Sequence, residues 1–247
     1  MRLNLKIPES WNELTVWQLK KIAHMVHSEN HGILFDYKVF LVLLKVRWWA
    51  FFKKWKLNKV LKETPLSVLK THYNWFYKSL ELTVFIPTLK ATSQLWHAPA
   101  DRLTNITMDE FSHAEDLYLG WSDSKDFEYL RYLAAVLYRE NDDNGKRVKF
   151  DKTELDKRTK QIKKINQKNL LAIVLSYQGS RGYLFTQYPT VFPKTKQVVK
   201  APKTSGFGKL VLHFSGGKFG TYNETKNTNV YTFLSEFEEQ LKKKPNA

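Results

Sequence analysis

The chain has 247 residues with 40 Lys and Arg, 24 Asp and Glu, and a formal net charge of +16 at pH 7. Its hydrophobic fraction of 43% and aromatic fraction of 15% argue against disorder and suffice for a substantial core. The absence of cysteine excludes disulfides, thiolate metal sites and cysteine nucleophiles.

The positive charge is unevenly distributed along the chain. Residues 145–168 contain ten Lys or Arg against three acids, and residues 45–62 contain seven Lys or Arg without an acid. Basic surfaces of this kind attract nucleic acid, anionic membranes or acidic proteins, and the attraction weakens with added salt. Residues 1–10 lack the apolar segment of a secretory signal, so no signal peptide is expected.

Helix start signals recur along the chain as capping boxes, a proline in a first turn and single capping residues. They predict helices that begin near Ser10 or Thr15, Thr64-Pro65, Thr107, Ser122-Asp123, Asp151 and Asn229. A further helix is expected at residues 169–178, ended by Gly179. The prediction for fold class is therefore mainly α.

The clearest pair of helices lies in residues 103–139. Thr107 and Glu110 have the spacing of a capping box, and Ile106 and Phe111 have that of a hydrophobic staple. The second helix carries an apolar stripe at helical spacing, made of Phe127, Leu130, Ala134 and Leu137. We expect a helical hairpin whose apolar faces are covered by the rest of the chain.

Strands are expected to be few. Alternating or β-branched residues predict extended structure at residues 1–7, 82–86 and 197–200. The turn at residues 141–145 divides the chain into helical, bundle-like subdomains. The predicted domains are an aromatic-rich 1–144 and a basic 145–247, the latter with an extended Pro- and Lys-rich loop at 187–206.

An aromatic and basic segment follows the second predicted helix. Residues 39–52 are strongly apolar, but a membrane span needs about 20 apolar residues and this run contains Lys45 and Arg47, so no transmembrane segment is predicted. The tryptophans beside the lysines predict a partner-binding surface formed by Trp48, Trp49 and Trp55. The alternative is a core helix that ends in a solvated basic turn.

Several short motifs suggest chemistry but lack the residues to complete it. Gly216-Gly217-Lys218 is followed by Phe219, where a phosphate loop needs Ser or Thr. His113-Ala114-Glu115 begins a zinc deaminase signature that cannot be finished without cysteine. Three histidines at the end of the first helix are further candidate metal ligands, namely His24, His27 and His31. No carboxylate accompanies them to complete a metal site. We therefore expect a protein that is not an enzyme and has no metal or cofactor.

The basic helix at 152–168 has only a narrow apolar seam, so most of it faces solvent or a partner. Helical spacing puts Lys157, Lys160 and Lys164 on one side. If the arm folds alongside, it adds Lys194, Lys196 and Lys200. This pattern predicts contacts with nucleic-acid phosphates and no base-specific reading. The alternative is a solvated face of a basic protein.

The C-terminal half carries a recognisable order of elements. A helix ending at 174–182 is followed by residues 188–192, an apolar element at 207–214, a glycine-bearing turn at 215–220 and a closing helix. This order resembles phage tail and virion assembly proteins, and residues 210–241 resemble the end of tail-assembly chaperones. The resemblance carries no diagnostic motif and assigns no site residue.

Two functions are predicted. The first, implied by the resemblance, is a non-enzymatic phage structural or tail assembly protein that acts through protein–protein contacts in the host cytoplasm or the virion. The alternative is a sequence-nonspecific nucleic-acid-binding protein that uses the basic helix. The oligomeric state and the identity of the partner stay open.

Overall fold

A computed structural model describes residues 7–28, 33–45, 55, 57, 59, 62–91, 94–193 and 205–243. Across these residues it contains ten α-helices and one antiparallel two-stranded sheet, so the predicted mainly α fold is confirmed. The chain divides into two compact units, Met1–Leu82 and Thr83–Ala247.

The first unit is built from short helices. Its α-helices are α1 (Val16–Ser28), α2 (Ile33–Leu43) and α3 (Leu66–Lys70), and its 3-10 helices are Trp11–Glu13 and Thr71–Tyr77. The predicted helix starts at Thr15 and at Pro65 are confirmed, because α1 and α3 begin one residue after them.

A buried glutamine fixes α1 against the end of α2. Gln18 Nε2 donates to the backbone oxygen of Leu43 at 2.8 Å, and its Oε1 accepts from the backbone N–H of Thr15 at 2.9 Å. Both polar ends of this buried side chain are therefore satisfied, as burial requires. Aromatic packing completes the unit, with Trp11 stacked on Phe76 at a centroid distance of 4.9 Å.

The second unit holds the sheet and the remaining helices. Its strands and α-helices are β1 (Thr88–Ala91), β2 (Gln94–His97), α4 (Met108–Ser124), α5 (Phe127–Leu137), α6 (Leu155–Ile162), α7 (Gln167–Gln187), α8 (Phe207–Phe214), α9 (Tyr222–Asn227) and α10 (Val230–Lys243), and its 3-10 helices are Asp101–Leu103 and Lys152–Glu154. The two strands pair with Thr88 opposite His97 and Leu89 opposite Trp96.

The predicted helical hairpin is present as α4 and α5. Thr107 and Glu110 form both halves of the capping box, as expected. The second helix starts later than predicted, because Ser122-Asp123 belong to the last turn of α4. Lys125 closes α4 in the left-handed conformation at φ +57°, and the carboxylate of Asp126 caps α5 by accepting the N–H of Glu128 at 2.9 Å.

The starts of α4 and α10 are joined by backbone hydrogen bonds. Met108 N donates to Thr228 O at 2.9 Å, and Val230 N donates to Ile106 O at 3.1 Å. Asn229, the predicted cap of α10, accepts the N–H of Tyr231 at 2.9 Å through its side-chain oxygen. The first backbone N–H groups of α4 and α10 have no acceptor within their own helices, and both helices find acceptors where their starts meet.

The central helix α7 is longer than predicted. Gly179 does not end it; the helix continues to Gln187 and buries Ser180 and Leu184 beyond the glycine. The predicted termination is therefore wrong, because burial of residues past Gly179 outweighs the low helix propensity of glycine.

The sequence predicts extended structure or a short strand at residues 82–86, and the structure contains no strand there. Residues 83–86 are mostly buried, and carbonyl oxygens in this segment accept hydrogen bonds from distant groups instead of from a neighbouring strand. Thr83 O accepts from Arg102 N at 3.0 Å, and Ile86 O accepts from the Tyr138 hydroxyl at 2.8 Å. Of the other predicted strands, residues 1–6 and 197–200 lie outside the described residues.

The predicted domain boundary differs from the observed division between Leu82 and Thr83. A turn does occur at the predicted place, with Gly145 at φ +72° and a bridge between Asn141 and Arg147. However, it lies inside the second unit. Of the predicted loop at 187–206, residues 188–193 form turns after α7 and residues 194–204 lie outside the described residues.

Candidate anion-binding pocket

A pocket of about 580 Å³ opens in the second unit beside the start of α4. It is bounded by the end of β2, the first turn of α4, the segment that follows α5, and Asn227 at the end of α9. Its charged lining residues are Glu110, Arg139, Lys146, Arg147 and Lys149. With four cations and one acid, the lining has a formal charge of +3. The lining residues therefore carry a net positive charge.

Glu110 is the single acid of this pocket, and it has two tasks. Its Oε2 accepts the backbone N–H of Thr107 at 2.9 Å, which completes the capping box of α4. Its Oε1 pairs with Arg147 Nη2 at 2.8 Å and with Arg139 Nη2 at 2.5 Å. Because the Glu110 side chain is only 2% exposed, both arginines share one buried carboxylate.

Arg139 is held rigidly at the floor of the pocket. Its backbone exchanges two hydrogen bonds with His97, at 2.7 and 3.1 Å, and this bridge extends the short sheet. Its side chain is 3% exposed and lies over the ring of Phe150. The Nε and Nη1 atoms have no hydrogen-bond partner among the described residues. Such orphaned buried donors normally cost stability.

Burial and the proximity of other charges shift the pKa values of Arg139 and Arg147. Burial lowers the pKa of Arg139, an effect that Glu110 opposes and the nearby Arg158 reinforces. Burial lowers the pKa of Arg147 to about 10, again opposed by Glu110 and reinforced by Arg139. Guanidinium groups nevertheless stay protonated in proteins, so the pocket carries a positive charge that its own acid does not balance.

The predicted nucleic-acid contacts lie next to this pocket in sequence. The apolar seam of α6 is formed by Leu155 and Ile162, both buried as expected. Lys157 and Lys160 lie on the exposed side of the helix, and Lys164 is exposed in the turn that follows it. The other three predicted lysines, Lys194, Lys196 and Lys200, lie outside the described residues.

The acids in this stretch are already engaged in local contacts. Asp151 accepts the backbone N–H of Thr153 at 2.8 Å, and Asp156 accepts the hydroxyl of Tyr132 at 3.0 Å. Glu154 pairs with Lys157 at 3.1 Å. Their charges remain, but each carboxylate is used for structure beside an excess of lysines.

The predicted partner-binding tryptophans are described at only one position. The Trp55 residue is 68% exposed in the first unit, which is unusual for so large an apolar side chain. Trp48 and Trp49 lie outside the described residues.

Residues of the short motifs rejected above form structural contacts. In the described segments, no three His, Asp or Glu side chains are grouped to hold a metal ion. His113 donates from Nδ1 to the carbonyl oxygen of Asp109 at 2.9 Å. Lys218, at the end of the glycine pair, forms an ion pair with Glu236 on α10. His31 lies outside the described residues.

The buried arginines of the pocket are not predictable from the local sequence pattern. Glu110 was identified only as a helix cap, and its pairing with Arg147 spans 37 residues of sequence. The available signal was indirect: Arg147 follows the turn at Gly145 within the most basic segment of the chain. No local pattern connects such a residue with a helix start.

Comparison with protein-family models, curated proteins and solved structures gives no significant match to this chain. Within the described segments, none of the helices combines the length and apolar character needed to cross a bilayer.

Proposed function

We propose that this protein binds nucleic acid without sequence preference, through phosphate contacts made by lysines of α6 and the following turn. The observation that carries the proposal is the exposure of Lys157, Lys160 and Lys164 in the most basic stretch of the chain. No catalytic step is part of it.

The charge balance of this stretch supports the proposal. Lys160, Lys163 and Lys164 are exposed and form no ion pair with any described residue. Lys157 has one partner, Glu154, and its side chain is still 73% exposed. Lysines that remain solvated in the free protein bind phosphates at little desolvation cost, and release of condensed counterions from nucleic acid drives the association.

The buried face of α6 limits what the helix can recognise. Leu155, Thr159 and Ile162 are packed into the second unit, so only the opposite, lysine-bearing face of this helix can contact nucleic acid. Contacts from lysine ammonium groups to phosphate carry no base information. The expected affinity is therefore independent of sequence and strongly dependent on salt.

The test replaces the three lysines together, as K157Q/K160Q/K164Q. Binding to a mixed-sequence duplex is measured by fluorescence anisotropy between about 50 and 200 mM salt, where phosphate contacts weaken steeply. The variant should bind more weakly to every sequence, and the slope of log K against log salt should fall by up to about three.

The matched control is K90Q/K209Q/K243Q, which removes the same charge from three exposed positions outside α6. It should change the slope far less than the α6 variant. If the two triple variants are equivalent, binding follows overall charge and the α6 surface is not a site. If the wild type does not bind at ~50 mM salt, the proposed function is wrong.

A second candidate function is phage structural or tail assembly through protein–protein contacts. The exposed Trp55 favours it, because tryptophan is enriched among the residues that dominate interface energies. Co-purification from infected cells, identified by mass spectrometry, tests it. Trp55→Ser should lose a specific virion component, whereas Leu34→Ser, at another exposed apolar residue of the same unit, should retain it. Recovery of no virion component with the wild type would contradict this function.

A further inference from the structure

We infer that the pocket beside the start of α4 binds a phosphomonoester, with Arg139 and Arg147 at its floor and Lys146 and Lys149 at its rim. The phosphate can belong to the end of a nucleic acid or to a small molecule. The inference does not rest on the proposed function, because the pocket and the exposed lysines of α6 are different groups of residues.

The first argument is the charge of the pocket. Two buried arginines share the single carboxylate of Glu110, and Lys146 and Lys149 are exposed at the opening. A positive charge held away from water without a full counter-charge is unfavourable. An anion that enters the pocket supplies the missing charge, and a doubly charged phosphomonoester supplies more of it than a carboxylate or a phosphodiester.

The second argument is the unused hydrogen-bonding capacity of Arg139. Its Nη2 is occupied by Glu110, while Nε and Nη1 have no acceptor among the described residues. Nε–H and Nη1–H lie on different edges of the planar guanidinium, so they are two separate donors and not a bidentate pair. Both atoms are enclosed, so a phosphate oxygen reaches one of them only when the Arg139 side chain turns towards the cavity. A buried donor without an acceptor costs stability, and an anion bound beside Arg139 would supply one.

The third argument is the size and lining of the cavity. A volume of about 580 Å³ exceeds that of one phosphate group and lies in the range of small-molecule sites. Val148 and Phe150 provide an apolar wall, and Asn105 and Asn227 provide amide groups. The space beside the arginines therefore accommodates an organic group attached to the phosphate.

The binding test uses the whole chain and inorganic phosphate. Isothermal titration should show saturable binding of one phosphate per chain at constant ionic strength, with chloride as the reference anion. In NMR spectra, the side-chain Nε–H signal of Arg139 should shift with the same saturation curve. If phosphate gives no saturable heat and no shift of this signal, the inference is wrong.

Two variants distinguish phosphate binding in the pocket from general attraction to the positive charge of the protein. Lys149→Gln removes a rim charge at an exposed position and should weaken phosphate binding by about tenfold, as expected for loss of a charge-assisted contact. Lys152→Gln removes the same charge three residues away, outside the pocket lining, and should leave binding nearly unchanged. Equal effects of the two variants would overturn the assignment.

Arg139→Gln alone leaves the buried Glu110 with one partner fewer, so its failure to fold is anticipated. The double variant Glu110→Gln/Arg139→Gln removes both charges of the pair and is the one to test. After its fold is verified by circular dichroism, it should no longer bind phosphate. If it fails to fold, the Lys149→Gln and Lys152→Gln comparison decides alone. Wild-type affinity in the folded double variant would overturn the role of Arg139.

Two further ligands distinguish the sources of the phosphate. Preference for a 5′-phosphorylated oligonucleotide over its 5′-hydroxyl form would assign the pocket to nucleic-acid ends. Stronger binding of a nucleoside monophosphate would assign it to a small molecule. Both outcomes support the inference, and equal affinity for phosphorylated and unphosphorylated ligands would overturn it. The K157Q/K160Q/K164Q variant should retain phosphate binding, so failure of the proposed function does not remove the pocket.

Discussion

The hydroxyl of Tyr177 donates a hydrogen bond to Glu115 Oε2 at 3.0 Å inside the second unit. The other carboxylate oxygen of Glu115 accepts from Arg181 Nε at 2.5 Å. Burial raises the pKa of Glu115, whereas the charge and hydrogen bond of Arg181 lower it. The carboxylate thus depends on two α7 residues for its partners, and the three side chains join α4 to α7.

Arg181→Met should destabilise the protein by about 2–3 kcal/mol, because it leaves the buried carboxylate without its charge partner. The expected loss of unfolding free energy is small for a buried ion pair, because the Arg181 side chain is 25% exposed. Urea unfolding at pH 7 measures it. The control is Arg131→Met, in which an arginine of similar exposure loses its pair with Glu128, a carboxylate that is 48% exposed, and it should cost less than about 1 kcal/mol. Equal losses would show that Glu115 does not need Arg181.

Tyr138→Phe should cost about 1 kcal/mol of unfolding free energy, since it removes the buried hydrogen bond to the Ile86 carbonyl and leaves that oxygen unpaired. Urea unfolding again provides the measurement. Tyr129→Phe serves as the comparison, because Tyr129 is exposed and should tolerate loss of its hydroxyl. An unchanged stability of Tyr138→Phe would mean that water replaces the hydroxyl at Ile86.

The pH dependence of stability should contain a contribution from His113. The side-chain carboxylate of Asp109 accepts a hydrogen bond from His113 and raises the pKa of its imidazole above the ordinary value of 6.5, although burial opposes the effect. A group whose pKa is raised on folding stabilises the protein fully below the unfolded value and loses that contribution as the pH rises through the folded value. Stability should therefore decline above about pH 6.5 as His113 deprotonates.

The imidazole signals of His113 in NMR give its pKa directly, and unfolding of the wild type and His113→Gln across pH 5–8 gives the linkage. The variant should lack the part of the decline that belongs to His113. A measured pKa below 6.5, or the same pH profile in both proteins, would contradict the prediction.

Thr107→Ala should destabilise the second unit by about 1–2 kcal/mol, because the backbone N–H of Glu110 loses its acceptor at the start of α4. Thr221→Ala removes the same kind of cap from the six-residue α9 on the surface, and the loss should be smaller. Thermal unfolding of both variants compares them. A larger effect at Thr221 would show that the capping box of α4 is not tied to the core.

The structure explains why local signals succeeded at α4 and failed for its surroundings. A capping box is defined by residues three apart, so Thr107 and Glu110 were sufficient to locate the start of α4. The two arginine partners of Glu110 arrive from the segment after α5, and their positions depend on the packing of the whole hairpin. Ion pairs between residues so far apart in the chain produce no periodic pattern that a single sequence could reveal.

The absence of a strand at residues 82–86 and the continuation of α7 past Gly179 have a common physical origin. Both predictions used intrinsic preferences, which are weak compared with burial. Thr83 belongs to no strand, and its carbonyl oxygen accepts from the backbone N–H of Arg102. Gly179 lies in a helix whose continuation buries Leu184. The final packing decides the outcome in each case.

Because backbone hydrogen bonds join the starts of α4 and α10, the second unit can complete its fold only late in synthesis. Met108 donates to the carbonyl of Thr228, which is translated 120 residues later. While the nascent chain still lacks Thr228, the N–H of Met108 has no native acceptor, even if the hairpin of α4 and α5 has already formed. The second unit therefore completes its fold only after residue 230 has left the ribosome, and a stalled or prematurely released chain leaves this helix start exposed to chaperones and proteases.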